Sequence, residues 1–452
     1  MNNLVIKRFL DPSFFRSFSR PTASLTFLLY PRRNVVSVPS VEEDGETVNF
    51  PRDREDTGFA CGLNWALAGK GVIVKDKAFR NLKTSELRQK GATVAESLSG
   101  LPVLVRGNAL GAASEISKPQ FTFGSLHGVH KWRSVTTHIS SVSDIYVLDG
   151  AIASSSKCSA KVRIISDSPS AIFSLSNVLW KVPSRAISHD SCPLTVYVAS
   201  SISQGVVDAV RLGAQANENV IAADIDCASL ILCGKAFSDA SATKEALATL
   251  SEPVISARGG IPLPARLLVS DDSVILLFAP EDIIQSCTYQ LVSADSGVVL
   301  SSQDVAPYFP IKNSSGPSLF KFPIAVVLVT SDSSGTIPSI SKLSPGQAAY
   351  HFLAGYHNGK FMPAYNKGPS SVDALELAKA FLSKLKDNQT TSFLINVNEG
   401  EKSVTGKVFL TLVQSALSKN IPSFHPKGGD LKGKYKSFLS CRFQEIPEEL
   451  SF

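Results

Sequence analysis

The segment Pro323 to Tyr356 constrains the fold of this chain more than any other, because it combines three local patterns in a short distance. Ile324 to Thr330 is a continuous apolar, β-branched run, which predicts a strand buried on both faces. Ser331 to Pro338 has the composition of a turn, and Ser344 to Tyr356 has helical spacing. The order of strand, polar loop and helix predicts an α/β protein.

The letters of this segment resemble those of the ATP-dependent phosphoenolpyruvate carboxykinases. That family has an apolar strand, an acidic loop and then P-x-[VI]-S-K-L…Y-H-F-x-[SA]-G-Y, which this chain matches from Pro338 to Tyr356. Three further segments resemble the family in the same order: Ile145 to Pro169, Pro193 to Ser200 and Leu377 to Gly400. The resemblance implies a two-lobed carboxykinase-like fold with a nucleotide-type C-terminal lobe.

The phosphate loop implied by the resemblance is altered in this sequence. The family's loop is rich in glycine and carries a lysine, because backbone N–H groups and a cation hold the phosphates. Here the strand Ser273 to Phe278 leads into Ala279 to Cys287, which has no glycine. Gln285 stands at the lysine position, and Glu281 and Asp282 add negative charge. We therefore predict a degenerate P-loop that does not bind ATP tightly in the family's pose.

The positions that the resemblance implies for metal ligands and substrate clamps are also replaced. Ile221 and Ala222 stand at two lysine positions, and Arg258 stands at the histidine position. Asp295 is the carboxylate kept after the loop, and Ser117 replaces a clamp arginine. Arginine cannot ligate a metal, a lone carboxylate holds a divalent cation poorly, and serine cannot clamp a carboxylate in bidentate fashion. We predict no catalytic, cofactor-binding or metal-binding residues, and no cofactor.

Composition limits the class of protein. The chain has 452 residues and is 44% hydrophobic, enough to bury a large core in two packed lobes. No apolar run approaches the roughly 20 residues that a transmembrane helix needs, so we expect no membrane span. The seven cysteines are odd in number and show no C-x-x-C spacing, which favours neither a disulfide framework nor a zinc site.

The first 33 residues have the composition of an organellar transit peptide. They contain one acidic residue, Asp11, and six basic ones: Lys7, Arg8, Arg16, Arg20, Arg32 and Arg33. An arginine-rich, acid-poor segment favours a mitochondrial over a plastid address, so we predict the mitochondrial matrix. An ordinary basic N-terminus is the alternative. Because this segment accounts for most of the net charge of +6, we expect no nucleic-acid partner.

These patterns divide the chain into four parts. Residues 1–33 are the predicted mitochondrial transit peptide, and residues 34–58 are an acidic, disordered linker with few large apolar side chains. Residues 59–211 are the N-terminal carboxykinase-like lobe. Residues 212–452 are the C-terminal nucleotide-type lobe with the degenerate P-loop.

A retained fold with an altered site indicates a catalytically inactive, pseudoenzyme-like relative of the carboxykinases. We therefore predict that this chain is not an enzyme. It would act as a mitochondrial structural or regulatory subunit, through contacts with an unknown protein partner in an organellar assembly. A divergent ATP-dependent carboxykinase-type enzyme or nucleotide sensor related to gluconeogenesis is the first alternative. The second is an RNA-associated organellar factor that uses the lysines of His425 to Lys436. We also expect Phe352 to be buried and Asp332, in the acidic-loop position, to be a surface residue.

Overall fold

The computed structural model describes most of the chain after the first 57 residues. The described residues are 58–59, 62–106, 121–123, 129–155, 157–182, 192–201, 219–270, 273–293, 295–311, 319–366, 370–398, 404, 406–425 and 429–452. The predicted transit peptide and nearly all of the predicted linker lie outside them. The clamp position Ser117 also lies outside them.

Strands make up much of the described chain. In chain order they are β1 (Gly58–Phe59), β2 (Lys77–Arg80), β3 (Val103–Arg106), β4 (Phe121–Phe123), β5 (Asp144–Ile152), β6 (Ala160–Ser166), β7 (Trp180–Lys181), β8 (Leu194–Ala199), β9 (Val220–Asp224), β10 (Ser229–Cys233), β11 (Ile261–Leu263), β12 (Arg266–Ser270), β13 (Ser273–Phe278), β14 (Leu291–Ser293), β15 (Val298–Leu300), β16 (Asp304–Pro307), β17 (Phe320–Lys321), β18 (Ala325–Thr330), β19 (Ile340–Leu343), β20 (Tyr356–His357), β21 (Lys360–Phe361) and β22 (Thr391–Asn396).

Helices cover the sheets. In chain order the α-helices of the described residues are α1 (Leu63–Ala68), α2 (Thr84–Gln89), α3 (Val129–Ser141), α4 (Pro169–Leu175), α5 (Ala240–Ala257), α6 (Glu281–Ser286), α7 (Pro345–Ala354), α8 (Ala374–Asp387), α9 (Gly406–Leu417) and α10 (Leu431–Arg442). None of these helices is both long and apolar enough to cross a lipid bilayer. The α/β class predicted from the sequence is confirmed.

The larger sheet lies in the first half of the described chain. Its strand order is β1-β2-β5-β6-β8-β10-β9-β3-β4, with β7 paired to β5. The neighbours β6, β8 and β10 run parallel, whereas β5 and β6 run antiparallel. Strands β9 and β10 follow residue 212, so this sheet draws on residues that the sequence analysis assigned to the second lobe. The lobe boundary itself stays a prediction.

The second large sheet has the order β14-β12-β13-β18-β22-β19, and its central strands β13, β18 and β22 are parallel. Every residue of β18 is buried. Val326 and Leu328 pack into the cluster that contains α7 and α8, while Val327 and Val329 pack into the cluster with α6 and α9. The prediction of a strand buried on both faces is confirmed for Ala325–Thr330, because helices cover both sides of this sheet, whereas Ile324 precedes the strand and is 54% exposed.

Helix α7 begins and ends where its sequence provides caps. Ser344 is the N-cap: its Oγ accepts a hydrogen bond from the Gln347 N–H, and the Gln347 side chain accepts one from the Ser344 N–H. Gly355 ends the helix with φ 56°, and a Cβ at this position would overlap the Met362 carbonyl oxygen. The helix predicted from the sequence is confirmed, and it carries the buried Phe352.

Candidate functional site

The parallel strands β13, β18 and β22 end at the same edge of the second large sheet. In open α/β sheets, ligands bind in the crevice outside the carboxyl ends of such strands. Polar residues follow all three strands here: Asp282 after β13, Ser331 after β18 and Asn398 after β22, where Asn396 is itself the last strand residue. This edge is therefore the candidate site.

The loop after β18 is organised around one carboxylate. Asp332 is 2% exposed. Its Oδ1 accepts a hydrogen bond from the Ser334 N–H at 2.8 Å, and its Oδ2 accepts from the Thr336 and Ile337 N–H groups at 3.0 and 2.9 Å. Burial alone would raise the pKa of this carboxyl group, but the hydrogen bonds outweigh that effect and lower it. The expectation that Asp332 is a surface residue is wrong.

Asn396 fixes the same loop from the neighbouring strand. Its Oδ1 accepts a hydrogen bond from the Asp332 N–H at 2.8 Å, and its Nδ2 donates to the Asp332 and Ile337 carbonyl oxygens at 2.9 Å each. The Asn396 side chain is fully buried and out of reach of water, so these three hydrogen bonds satisfy its amide oxygen and nitrogen. The loop at the end of β18 is therefore held rigidly at the edge of the crevice.

A histidine lies in this crevice between an aspartate and an asparagine. The Nε2 atom of His357 is 3.5 Å from Oδ2 of Asp282 and 3.1 Å from Nδ2 of Asn358. Ser331 Oγ donates to Asn358 Oδ1 at 2.5 Å, which orients the asparagine. The imidazole is mostly buried, whereas the Asp282 side chain is 58% exposed. Burial lowers the pKa of His357, and the negative charge of Asp282 partly opposes that shift.

This arrangement lets one ring nitrogen change its hydrogen-bond partner with its protonation state. A neutral imidazole accepts a hydrogen bond from Asn358 at Nε2; once Nε2 is protonated it donates to Asp282, and the Asn358 amide, also a donor, no longer bonds to it. Its other ring nitrogen, Nδ1, is buried without a hydrogen-bond partner among the described residues. The sequence analysis missed His357, although the histidine directly follows the recognised G-Y letters and precedes the turn residues Asn358 and Gly359.

A buried arginine stands at the carboxyl end of β13. Arg266 is the first residue of β12 and pairs with Leu277, next to the end of β13. Its side chain is 7% exposed, and its Nε has no hydrogen-bond partner among the described residues. Burial lowers the pKa of the guanidinium, while the charges of Glu281, Asp295 and Glu245 raise it. Arg266 was not predicted as a site residue. The signal that could have identified it is a single arginine within an otherwise apolar run before Ser270.

The segment after β13 passes directly into a helix. Pro280 is the N-cap of α6, and Glu281 and Asp282 occupy its first turn, where carboxylates stabilise a helix. Gln285, which the resemblance aligns with a lysine, has a long 3.4 Å contact from its Nε2 to Glu281 Oε1. No glycine-rich turn separates strand and helix here.

The other positions inferred from the resemblance are spread over the molecule. Ile221 and Ala222 are fully buried inside β9 of the first sheet. Asp295 forms an ion pair with Lys244, 2.5 Å from Nζ to Oδ2. Arg258 caps the end of α5 and lines a separate cavity. The structure thus brings Glu281 and Asp295 towards Arg266 and Asp282 towards His357, but places the remaining positions elsewhere.

A divalent metal does not fit the donors at this edge. The described residues contain no group of three or more His, Cys, Asp or Glu side chains that could hold a metal ion. At this edge His357 and Asp282 would supply two ligands, fewer than the six or more oxygens that Ca²⁺ or Mg²⁺ prefers. We derive no chemical step through a metal.

The chain is similar to known proteins in its C-terminal part. Residues 301–417 match the family model described as phosphoenolpyruvate carboxykinase. Curated relatives named phosphoenolpyruvate carboxykinase (ATP) come from Bacillus mycoides (strain KBAB4) and Bacillus cereus (strain AH187), each 27% identical over 158 residues. A third, from Bacillus cytotoxicus, is 27% identical over 159 residues. Each alignment covers 31% of this chain and 30% of the relative.

The matched segment holds the ordered loop, helices α7 to α9 and His357, but not residues 279–287. The chain spans about a third of the length of the curated relatives it matches. The prediction that the chain is not an enzyme is wrong, because the matching family and its curated relatives are named as ATP-dependent enzymes. Sequence reasoning failed here because it inferred the absence of activity from the altered positions alone.

Proposed function

We propose that the chain belongs to the ATP-dependent phosphoenolpyruvate carboxykinase family and is a divergent carboxykinase-type enzyme. The matched segment and the curated relatives support this family relationship. Its working cleft is the crevice at the carboxyl ends of β13, β18 and β22. The observation that carries this proposal is His357, placed between Asp282 and Asn358 beside a rigid loop.

Each group in the cleft has a role in this proposal. Conversion of oxaloacetate and ATP to phosphoenolpyruvate, carbon dioxide and ADP moves a phosphoryl group without net proton transfer, so His357 positions the substrate rather than carrying a proton. Its lowered pKa keeps the imidazole neutral near pH 7. Asp282, 3.5 Å from its Nε2, orients the ring. Arg266 supplies positive charge for an anionic substrate at the end of β13, where its buried Nε lacks a partner among the described residues.

The degenerate P-loop is part of the same proposal. Residues 279–287 do not cradle a triphosphate in the family's manner, because α6 begins directly after Pro280 and its first turn carries Glu281 and Asp282. A nucleotide in this cleft therefore depends on side chains rather than on a glycine-rich backbone. A nucleotide sensor, which binds without turnover, is the closely related alternative.

His357→Gln tests the proposed chemistry. We expect the full-length chain to form phosphoenolpyruvate from oxaloacetate and ATP, and the variant to lose roughly tenfold or more of that rate, because a hydrogen bond to a charged substrate contributes about 1.5 to 3 kcal/mol. His425→Gln, an exposed histidine outside the cleft, is the matched control and should keep the wild-type rate. Absence of turnover in the wild type contradicts the enzyme proposal, and ATP binding without turnover in calorimetry favours the sensor.

A second candidate function rests on exposed aromatic side chains. Trp65 is 85% exposed and Tyr289 is 97% exposed, and aromatic side chains of this kind are enriched among the anchors of protein–protein contacts. We propose that the chain is also a structural or regulatory subunit of a mitochondrial matrix assembly, brought there by residues 1–33. The composition of that segment supports the address.

One purification tests the address and the partner together. The tagged full-length chain is expected in the mitochondrial fraction with a co-purifying protein, and a chain without residues 1–33 is expected in the cytosol. Trp65→Ser or Tyr289→Ser should reduce recovery of the partner, whereas Lys75→Ser, an exposed polar control, should not. A full-length chain that stays cytosolic contradicts the address, and unchanged recovery with both aromatic variants contradicts the contact surface.

A further inference from the structure

A cavity of about 690 Å³ lies on the first sheet, away from the crevice described above. Its walls come from the end of α1, from β6, from the two residues before β8 and from the end of α5. Ala66, Pro193 and Val254 make apolar wall surface. The volume falls within the range of about 300 to 1,000 Å³ that is typical of small-molecule sites.

Three cationic side chains line this cavity: Lys70, Arg163 and Arg258. They come from three separate parts of the chain, so the fold alone brings them together. Among the described residues that line the cavity there is no aspartate or glutamate. Asp149 behind the cavity neutralises Arg163, so the positive potential at this partly apolar surface comes from Lys70 and Arg258.

Arg163 is held in one orientation before any ligand arrives. Its side chain is 3% exposed, and its Nε and Nη2 donate to Oδ1 and Oδ2 of Asp149 at 2.7 and 2.9 Å. The same carboxylate accepts a hydrogen bond from Arg80 Nε at 2.7 Å. Because its rotamer is already fixed, Arg163 loses little conformational entropy on binding a ligand.

Arg258 lines the cavity from the C-cap of α5. Its Nη1 donates to the Ser159 carbonyl oxygen, which anchors an otherwise exposed side chain near β6. A guanidinium has five N–H donors in a planar fork that matches carboxylate and phosphate oxygens. The Lys70 backbone is fixed as well, because its carbonyl oxygen accepts the Tyr197 hydroxyl at 2.8 Å.

We propose that this cavity binds a small organic anion, with a carboxylate or phosphate group on the cationic side chains and a short carbon body against the apolar wall. The size of the cavity favours a metabolite over a bare ion. This site is separate from the crevice at the second sheet, so its occupancy does not depend on the function proposed for that crevice.

Calorimetry on the full-length chain tests the site with succinate and glycerol 3-phosphate as probes. We expect at least one to bind with a dissociation constant of about 1 mM or tighter, and added salt to weaken it. The neutral analogues succinamide and glycerol should not bind. Arg258→Gln and Lys70→Gln should each weaken binding about tenfold, since hydrogen bonds to charged groups contribute about 1.5 to 3 kcal/mol. Lys407→Gln, an exposed lysine on α9, is the matched control.

Cys192 reports where the probe binds, because this half-buried thiol lines the cavity. The bound probe should slow alkylation of Cys192 by iodoacetamide, followed by mass spectrometry, and leave the exposed Cys441 on α10 unaffected. Succinate alone would identify a carboxylate site and glycerol 3-phosphate alone a phosphate site. The proposal is overturned if neither probe binds, if both charge variants bind like the wild type, or if Cys192 is not protected.

Discussion

Phe352→Ala is expected to lower the free energy of unfolding by about 3 to 5 kcal/mol, the usual range for truncating a buried aromatic side chain. The ring is fully buried on the inner face of α7. Its centroid lies 5.0 Å from that of Phe278 on β13 and 5.1 Å from that of Phe381 on α8. The change therefore leaves a cavity at the point where helix, helix and sheet meet, and aromatic pairing is lost in addition to buried area.

Urea denaturation of the full-length chain measures this loss as a lower midpoint with an unchanged slope. Tyr289→Ala is the matched control, because it removes an aromatic side chain of similar size that is 97% exposed. That variant should stay within about 0.5 kcal/mol of the wild type. An equal effect of the two substitutions would contradict the assignment of Phe352 to the core.

The sequence predicted this part of the core well because its signals are local. The apolar run before Thr330 has no polar residue, so only a strand covered on both faces satisfies it. Ser344, Pro345 and Gly355 mark the start and end of α7 by their own backbone preferences. Such signals lie within a few residues of the structure that they determine, and no tertiary contact is needed to interpret them.

The candidate site was harder to predict because its contacts join residues that are distant in the chain. His357 meets Asp282 only because β20 lies beside the end of β18 and α6 follows β13. The same holds outside the candidate site, where Glu252 of α5 accepts hydrogen bonds from Ser370 and Ser371, more than one hundred residues away. Burial raises the pKa of Glu252 to about 7, and no local sequence pattern predicts that shift.

Asp332 shows why composition alone misjudged the loop. Turn residues are usually exposed, and Ser331 to Pro338 has ordinary turn composition. The aspartate is instead buried because its carboxylate replaces water as acceptor for the N–H groups of Ser334, Thr336 and Ile337. The aspartate side chain faces the backbone here because the neighbouring strand β22 fixes the loop. Its last residue, Asn396, accepts a hydrogen bond from the Asp332 N–H.

Asp332→Ala is therefore expected to lower the free energy of unfolding by about 3 kcal/mol, because it leaves three N–H groups near the core without their acceptor. The pKa of Asp332 is lower in the folded chain than in the unfolded one. Its contribution is then fully present above the unfolded pKa and is lost as the pH falls through the folded pKa. The difference in stability between wild type and variant should accordingly shrink in acid.

Urea denaturation of both proteins at neutral and at acid pH measures this difference. Asp76→Ala, which removes an exposed aspartate, is the matched control and should remain within about 0.5 kcal/mol of the wild type at either pH. A variant as stable as the wild type would show that the loop does not depend on the carboxylate. On the proposed function, this loop forms one wall of the crevice that holds His357, so Asp332→Ala should also reduce the turnover of the folded variant, whereas Asp76→Ala should leave turnover unchanged.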